Sequence, residues 1–364
     1  MEKVMSRKLI TISTIMTLMS TSVIADVPNV AADIAPIHSL VSRVMDGVGV
    51  PKLIVQSGAS PHGYRLRPSE AKALQDADHV FWMGEELTPW LDSAIGTLAS
   101  KASVTTLLDQ QGVILHDFRE GALFEAHDHS AHGDDDHDDH DDHDDHDDHK
   151  DHDDHDDHDD HDDHKDHDDH DDHDDHDDHK DHDDHDDHDD HDDHGSHDPH
   201  AWLSPENAKL WLNIIASKLS VSDPENAATY FMNAAAGQAE IEAMIAEVKA
   251  TLKPVQGGKF VVFHDAYQYF ENDFDFYASG AISLSDSSDP SPARIEKVQK
   301  RIRDEGIQCV LAEPQFKKGL VATVMEGSDA TASVIDPLGA ELETGPKLYT
   351  RLIKNMAKTL RNCL

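Results

Sequence analysis

The chain has 364 residues with 30 Lys and Arg, 75 Asp and Glu, 30 His and 2 Cys, for a net charge of −45. With that acidity and no basic patch carrying interleaved aromatics, nucleic acid is excluded as a partner class. Two cysteines are too few for a disulfide scaffold or a cysteine-rich zinc finger.

At the start of the chain Lys3, Arg7 and Lys8 precede an apolar stretch from Leu9 to Ile24, and Val23-Ile24-Ala25 stands before Asp26. This reads as a secretory signal peptide over 1–25. The stretch is interrupted by Thr and Ser and is short for a bilayer span, so no retained membrane anchor is expected. No cysteine lies near the cleavage point, which argues against lipid attachment. The mature chain is expected in an oxidising compartment, where Cys309 and Cys363 are available to bridge. About 340 residues remain, more than one core usually serves, so two lobes are expected.

Short apolar runs then alternate with helical segments: 29–35 and 36–46, 52–56 and 68–77, 79–84 and 88–100, then 103–107. Such alternation implies parallel βαβ packing. Next comes a low-complexity insert. Between His127 and His197, 39 Asp against 3 Lys carry −36 of the net charge, leaving only −9 for everything else. Three copies of KDHDDHDDHDDHDDH begin at Lys150, Lys165 and Lys180, a fourth with Asp135 in the lysine's place precedes them, and the region holds 24 of the 30 histidines. It has no apolar residue between Asp134 and His194. Burial therefore has nothing to set against roughly 1–2 kcal/mol per residue of ordering entropy, and disorder is expected. Imidazole suits Zn, Cu and Ni, and the interposed carboxylates concentrate cations, so many weak, exchanging metal sites are expected. The competing reading is a solvated acidic linker. Calcium fits less well, because the glycine and ligand spacing of an EF-hand are missing.

After the insert, Ser204-Pro205 signals a helix start that continues to Leu219. Asp223-Pro224 repeats the signal and leads to one long helix ending at Lys253-Pro254, about 30 residues and roughly 40 Å long. A second βα series occupies 259–263, 265–272, 278–283, 291–305, 309–313, 317–327, 333–336 and 345–362. The expected fold is α/β, two lobes each with a mostly parallel sheet flanked by helices, joined by one long backbone helix. Its parts are an N-terminal lobe over 26–115 completed by 200–222, an insert over 116–199, a linking helix over 223–254 and a C-terminal lobe over 255–364.

In open parallel sheets, ligands collect where strand ends meet helix starts. Three histidines sit at such junctions: His62 in Ser60-Pro61-His62-Gly63-Tyr64, His200 in Asp198-Pro199-His200-Ala201-Trp202, and His264 in Phe263-His264-Asp265-Ala266-Tyr267. Three imidazoles and one oxygen make a tetrahedral zinc set. Taken singly, each junction histidine reads equally as a helix cap or a partner of a backbone carbonyl, and His38, His79 and His116 receive that structural reading. Asp336, in Ile335-Asp336-Pro337-Leu338-Gly339, is a candidate oxygen ligand or the cap of the turn before Pro337.

At these motifs, together with Gly58–Ser69 and Ala312-Glu313-Pro314-Gln315-Phe316, the sequence resembles the cluster A-I solute-binding proteins, and within them the periplasmic zinc-binding proteins of the Znu type. The resemblance covers nearly the whole mature chain. It implies two α/β lobes with the metal in the cleft between them, His62, His200 and His264 as ligands, and a disulfide joining Cys309 to Cys363. A histidine at the third position resembles the zinc members, whereas manganese and iron members tend to place a carboxylate there. Some zinc members carry a glutamate before the first histidine. Here that residue is Pro61, which leaves the fourth ligand as Asp336, water or a histidine of the insert.

The function expected is zinc capture and delivery to the membrane permease of an ABC transporter with its ATPase, by a monomer that is not an enzyme. The alternatives are a binding protein for manganese or another divalent metal, a zinc hydrolase with Glu313 or Asp265 as general base, and a metal buffer with no transporter.

Overall fold

The most apolar short runs become strands buried on both faces. β1 (Val30–Ala32), β3 (His79–Trp82) and β5 (Phe260–His264) are buried along their whole lengths, the pattern of parallel strands covered by helices above and below. The structure is a computed structural model and describes residues 27–119, 124, 197–283, 290–315 and 318–364. The signal peptide and the Asp/His repeats, with the disorder expected of them, lie outside the described residues. The chain divides into two compact units, 1–125 with 193–364, and 126–192.

The first sheet adds β2 (Lys52–Leu53) and β4 (Ser103–Thr106) in the order β2-β1-β3-β4, all pairs parallel. The second contains β5, β6 (Ala281–Ser283), β7 (Cys309–Ala312) and β8 (Thr331–Val334) in the order β6-β5-β7-β8, again all parallel. The two sheets therefore repeat one topology. In each, the chain leaves its first strand to one side and then crosses to the other, which creates a switch point at the carboxyl ends of β1 and β3, and of β5 and β7.

Helices α1 (Ala35–Val44), α2 (Pro68–Gln75) and α3 (Pro89–Leu98) connect the first sheet, and α6 (Gln268–Phe274), α7 (Pro292–Glu305) and α8 (Lys318–Met325) the second. Between them run α4 (Pro205–Ser222) and α5 (Ala227–Leu252), and α9 (Leu348–Cys363) closes the chain. Local chemistry explains the starts. Ser204 Oγ accepts the Asn207 N–H ahead of Pro205, and Ser291 Oγ accepts that of Arg294 ahead of Pro292. Pro224–Asn226 forms a single 3₁₀ turn, so the long helix proper has 26 residues. Gly237 in its middle sits where α4 and α1 cross closely: a Cβ there would lie 3.0 Å from Leu212 Cδ1 and 3.1 Å from Arg43 Cγ.

One apolar core runs through α1, α4, α5 and α9 and touches the inner faces of both sheets, while smaller clusters fill their outer faces. Cys309 on β7 and Cys363 at the end of α9 form a disulfide, with Cα atoms 5.6 Å apart. β8 spans Thr331–Val334, two residues earlier than its apolar pattern suggests, because its register is set by pairing Cys309 with Thr331 and Ala312 with Val334. Among the described residues no helix is long and apolar enough to cross a membrane.

Candidate metal centre

His264 is the last residue of β5, at the switch point of the second sheet. It is 3% exposed. Its Nδ1 lies 2.5 Å from Oε1 of Glu313, which follows β7, the neighbouring strand. His200 opens a short 3₁₀ turn, Ala201–Leu203, ahead of α4. Its Nδ1 lies 2.6 Å from Asp198 Oδ1, and the same oxygen accepts the His200 backbone N–H at 3.0 Å. An ionised carboxylate only accepts, so in each pair Nδ1 carries the proton and Nε2 is left with its lone pair. The two Nε2 atoms face each other at 3.4 Å. Two lone pairs at that separation repel unless a proton or a cation lies between them.

The third junction histidine, His62, is half-buried in the loop after β2, its ring centroid 5.8 Å from that of His200. The His200 and His264 rings are 5.2 Å apart. Trp90 Nε1 on α3 donates to the Pro61 carbonyl at 2.7 Å, immediately before His62. Tyr64 leans on Trp90 and donates to Glu70 Oε1 at 2.8 Å, and Glu70 Oε2 accepts the Arg67 N–H at the start of α2. The His62 loop is thus held from both flanks. Among the described residues no three or more His, Cys, Asp and Glu side chains are closed up around one point at ligand distance.

Asp336 follows β8. Its Oδ1 accepts the N–H groups of Leu338 and Gly339, at 3.0 and 2.8 Å, and so caps the turn after Pro337. The carbonyl of Pro337 in turn accepts Trp202 Nε1 at 2.8 Å, tying that turn to the segment carrying His200. Tyr267, three residues after His264, is buried. Burial pushes its phenol well above the ordinary range, with the charges of Glu313 and Asp336 adding to the rise.

His38, His79 and His116 have structural partners. His38 Nε2 donates to the Pro51 carbonyl at 3.1 Å, His79 Nε2 pairs with Ser222 Oγ at 2.6 Å, and the His116 ring packs on Tyr269 at 4.6 Å. The roles of Asp198 and Glu313 in holding imidazoles were not read from the sequence. The signals were there, in the i to i+2 spacing of Asp198-Pro199-His200 and in a glutamate ending the strand beside His264.

The ends of the insert converge next to this site. Asp117 and His197 form an antiparallel bridge, with His197 Nδ1 2.8 Å from Asp117 Oδ1. Asp198 N–H donates to the His116 carbonyl at 2.7 Å. Tyr269 on α6 joins both ends, since its hydroxyl accepts the His116 N–H and donates to the Asp198 carbonyl. Arg119 continues the same anchoring. Its guanidinium spans Asp265 and Glu271 and lies 3.6 Å from the Phe124 ring centroid.

With this geometry in place, comparison with known families is decisive. The model of the zinc-uptake complex component A, periplasmic, the ZnuA family, matches residues 30–363. The chain belongs to this family. The high-affinity zinc uptake system protein ZnuA of Brucella abortus (strain 2308) is 47% identical over 335 residues, covering 92% of this chain and 91% of the relative. Among solved structures, a ZnuA deletion mutant with zinc bound aligns with a TM-score of 0.63 at 19% identity, covering 93% of this chain and 98% of that one. A manganese-bound periplasmic metal-binding protein from Candidatus Liberibacter asiaticus aligns with a TM-score of 0.63 at 16% identity, covering 92% and 100%. At such identities the likeness to these structures shows the fold alone. That fold serves zinc and manganese binders alike. ZnuA membership makes this chain a periplasmic solute-binding protein of zinc uptake, with zinc as the transported ligand.

Proposed function

We propose that His62, His200 and His264 hold the transported Zn²⁺ through their Nε2 atoms, that Asp336 supplies the fourth donor through Oδ2, and that the loaded protein passes the ion to the permease of an ABC transporter. The observation that carries this reading is the 3.4 Å between the Nε2 atoms of His200 and His264. Two nitrogens about 2.0–2.1 Å from a tetrahedral zinc lie roughly 3.3–3.4 Å apart. The carboxylates on both Nδ1 atoms support it further: they fix the tautomer that presents a lone pair and raise its basicity. His62 would close on the pair as the ion enters. Binding without turnover fits the same residues, since Glu313 is committed to His264 and Asp265 to Arg119, leaving neither placed as a base for a metal-bound water.

In this reading the Asp- and His-rich insert gathers zinc on weak sites and the protein works as a monomer. Titration of the mature chain with zinc against a chromophoric chelator tests it. The triple variant His62→Ala, His200→Ala, His264→Ala should lose one tight site and keep several weak ones. Deletion of Ala131–Gly195 should do the reverse. Loss of the tight site on deletion would overturn a separate histidine site, and retention of zinc uptake in cells lacking the protein would overturn delivery to a permease.

A further inference from the structure

Asp265 is the residue after His264, and its carboxylate is 7% exposed, within electrostatic reach of Asp198 and His200. A buried carboxylate on the residue next to His264 is a candidate oxygen donor for a divalent ion, and oxygen donors favour manganese where imidazoles favour zinc. Its two oxygens are taken up elsewhere. Arg119 Nε donates to Oδ1 at 3.0 Å and to Oδ2 at 3.1 Å, and Nη2 donates to Oδ1 as well. The remaining face of the guanidinium holds Glu271, itself 1% exposed, with Nη1 2.6 Å from Oε2 and Nη2 3.3 Å from Oε1. Phe124 covers the flat side. This forked, aromatic-capped geometry suits guanidinium and not ammonium. Arg119 comes from the segment leading into the insert, 146 residues away from Asp265 in sequence.

We propose that Arg119 is a specificity-determining residue of the metal site: by occupying Asp265 it keeps a second carboxylate out of the coordination set and so holds the site to its three imidazoles, one carboxylate and zinc. The role is one of positioning, since Arg119 acts through Asp265 and Glu271. The proposal rests on the ligand assignment made above.

The test compares the full mature chain with Arg119→Met, Arg119→Lys and Arg119→Met/Asp265→Asn. Zn²⁺ and Mn²⁺ affinities come from competition titration, and the Co²⁺ absorption spectrum reports coordination number. Arg119→Met should lower the ratio of zinc to manganese affinity by about tenfold or more and weaken the tetrahedral Co²⁺ bands as an oxygen joins the set. Arg119→Lys should fall between. Adding Asp265→Asn to Arg119→Met should return both readouts toward the parent. If Arg119→Met fails to fold, Arg119→Met/Glu271→Gln, which removes one buried charge of each sign, carries the same comparison. An unchanged metal ratio and Co²⁺ spectrum in a folded Arg119 variant would overturn the proposal, as would failure of Asp265→Asn to restore them. The His62→Ala/His200→Ala/His264→Ala chain separates the two ideas. Tight zinc binding that survives it sinks the ligand assignment, whereas loss of zinc there with an unchanged Arg119 variant sinks the selectivity proposal alone.

Discussion

The 2.5 Å approach of Glu313 Oε1 to His264 Nδ1 joins two adjacent strands of the second sheet at their carboxyl ends, with both side chains almost wholly buried. Gln315 Nε2 donates to the other oxygen of Glu313 at 2.7 Å, so the carboxylate is itself held in place. Replacing Glu313 with Gln keeps the shape but removes the charge that fixes the Nδ1–H tautomer. Zinc affinity should fall by about 10- to 100-fold with little change in fold. Competition titration alongside circular dichroism checks this, and an affinity within threefold of the parent would show that the pair is not needed for binding.

The His62 loop gives a second prediction. Trp90→Phe retains the ring against Tyr64 but loses the donor to the Pro61 carbonyl, a change of roughly 0.5–1.5 kcal/mol in local stability. Zinc should leave this variant several times faster while His200 and His264 keep their mutual geometry. Stopped-flow transfer to a chelator measures the rate directly.

A third prediction concerns pH. Asp33, just beyond β1, is fully buried, and burial raises its carboxyl to about 7 despite accepting the N–H groups of Met83 and Ile34. A folded pKa above the unfolded value means that the native state holds the proton more tightly. The contribution is therefore complete below about pH 4 and is lost as pH rises through about 7. The stability gap between the parent and Asp33→Asn, from urea unfolding, should shrink between pH 5 and pH 8. A constant or widening gap would contradict the assignment.

The disulfide gives a fourth. Cys309 and Cys363 are 54 residues apart, and closing a loop of that size in the unfolded chain is worth roughly 4 kcal/mol. Cys309→Ser/Cys363→Ser should melt roughly 10 °C lower. Zinc affinity in the folded variant should be unchanged, because the bridge sits at the opposite end of β7 from Glu313, roughly 13 Å along the strand. Differential scanning calorimetry and titration on one sample give both readings.

What the sequence made legible follows from the range of the forces involved. Ser204-Pro205 and Ser291-Pro292 mark helix starts through contacts three residues long, so those boundaries can be read directly. The fully apolar Phe260–Phe263 announces a buried parallel strand. β8 was displaced by two residues because its ends depend on which residue of β7 it faces. The junction histidines were legible as single residues. Their surroundings were not: Glu313 reaches His264 across 49 residues and Arg119 reaches Asp265 across 146, separations that only the folded chain closes. Asp198 was within reach of local reading, but a carboxylate two residues before a histidine has too many ordinary roles to stand out.

The bridge between Asp117 and His197 has a consequence for how this gene can change over time. The residues beside it, His116 and Asp198, are already fastened to Tyr269, and Arg119 is held by Asp265 and Glu271. Tandem triplets can therefore multiply or shrink through slippage of the DNA without disturbing the anchored segments on either side.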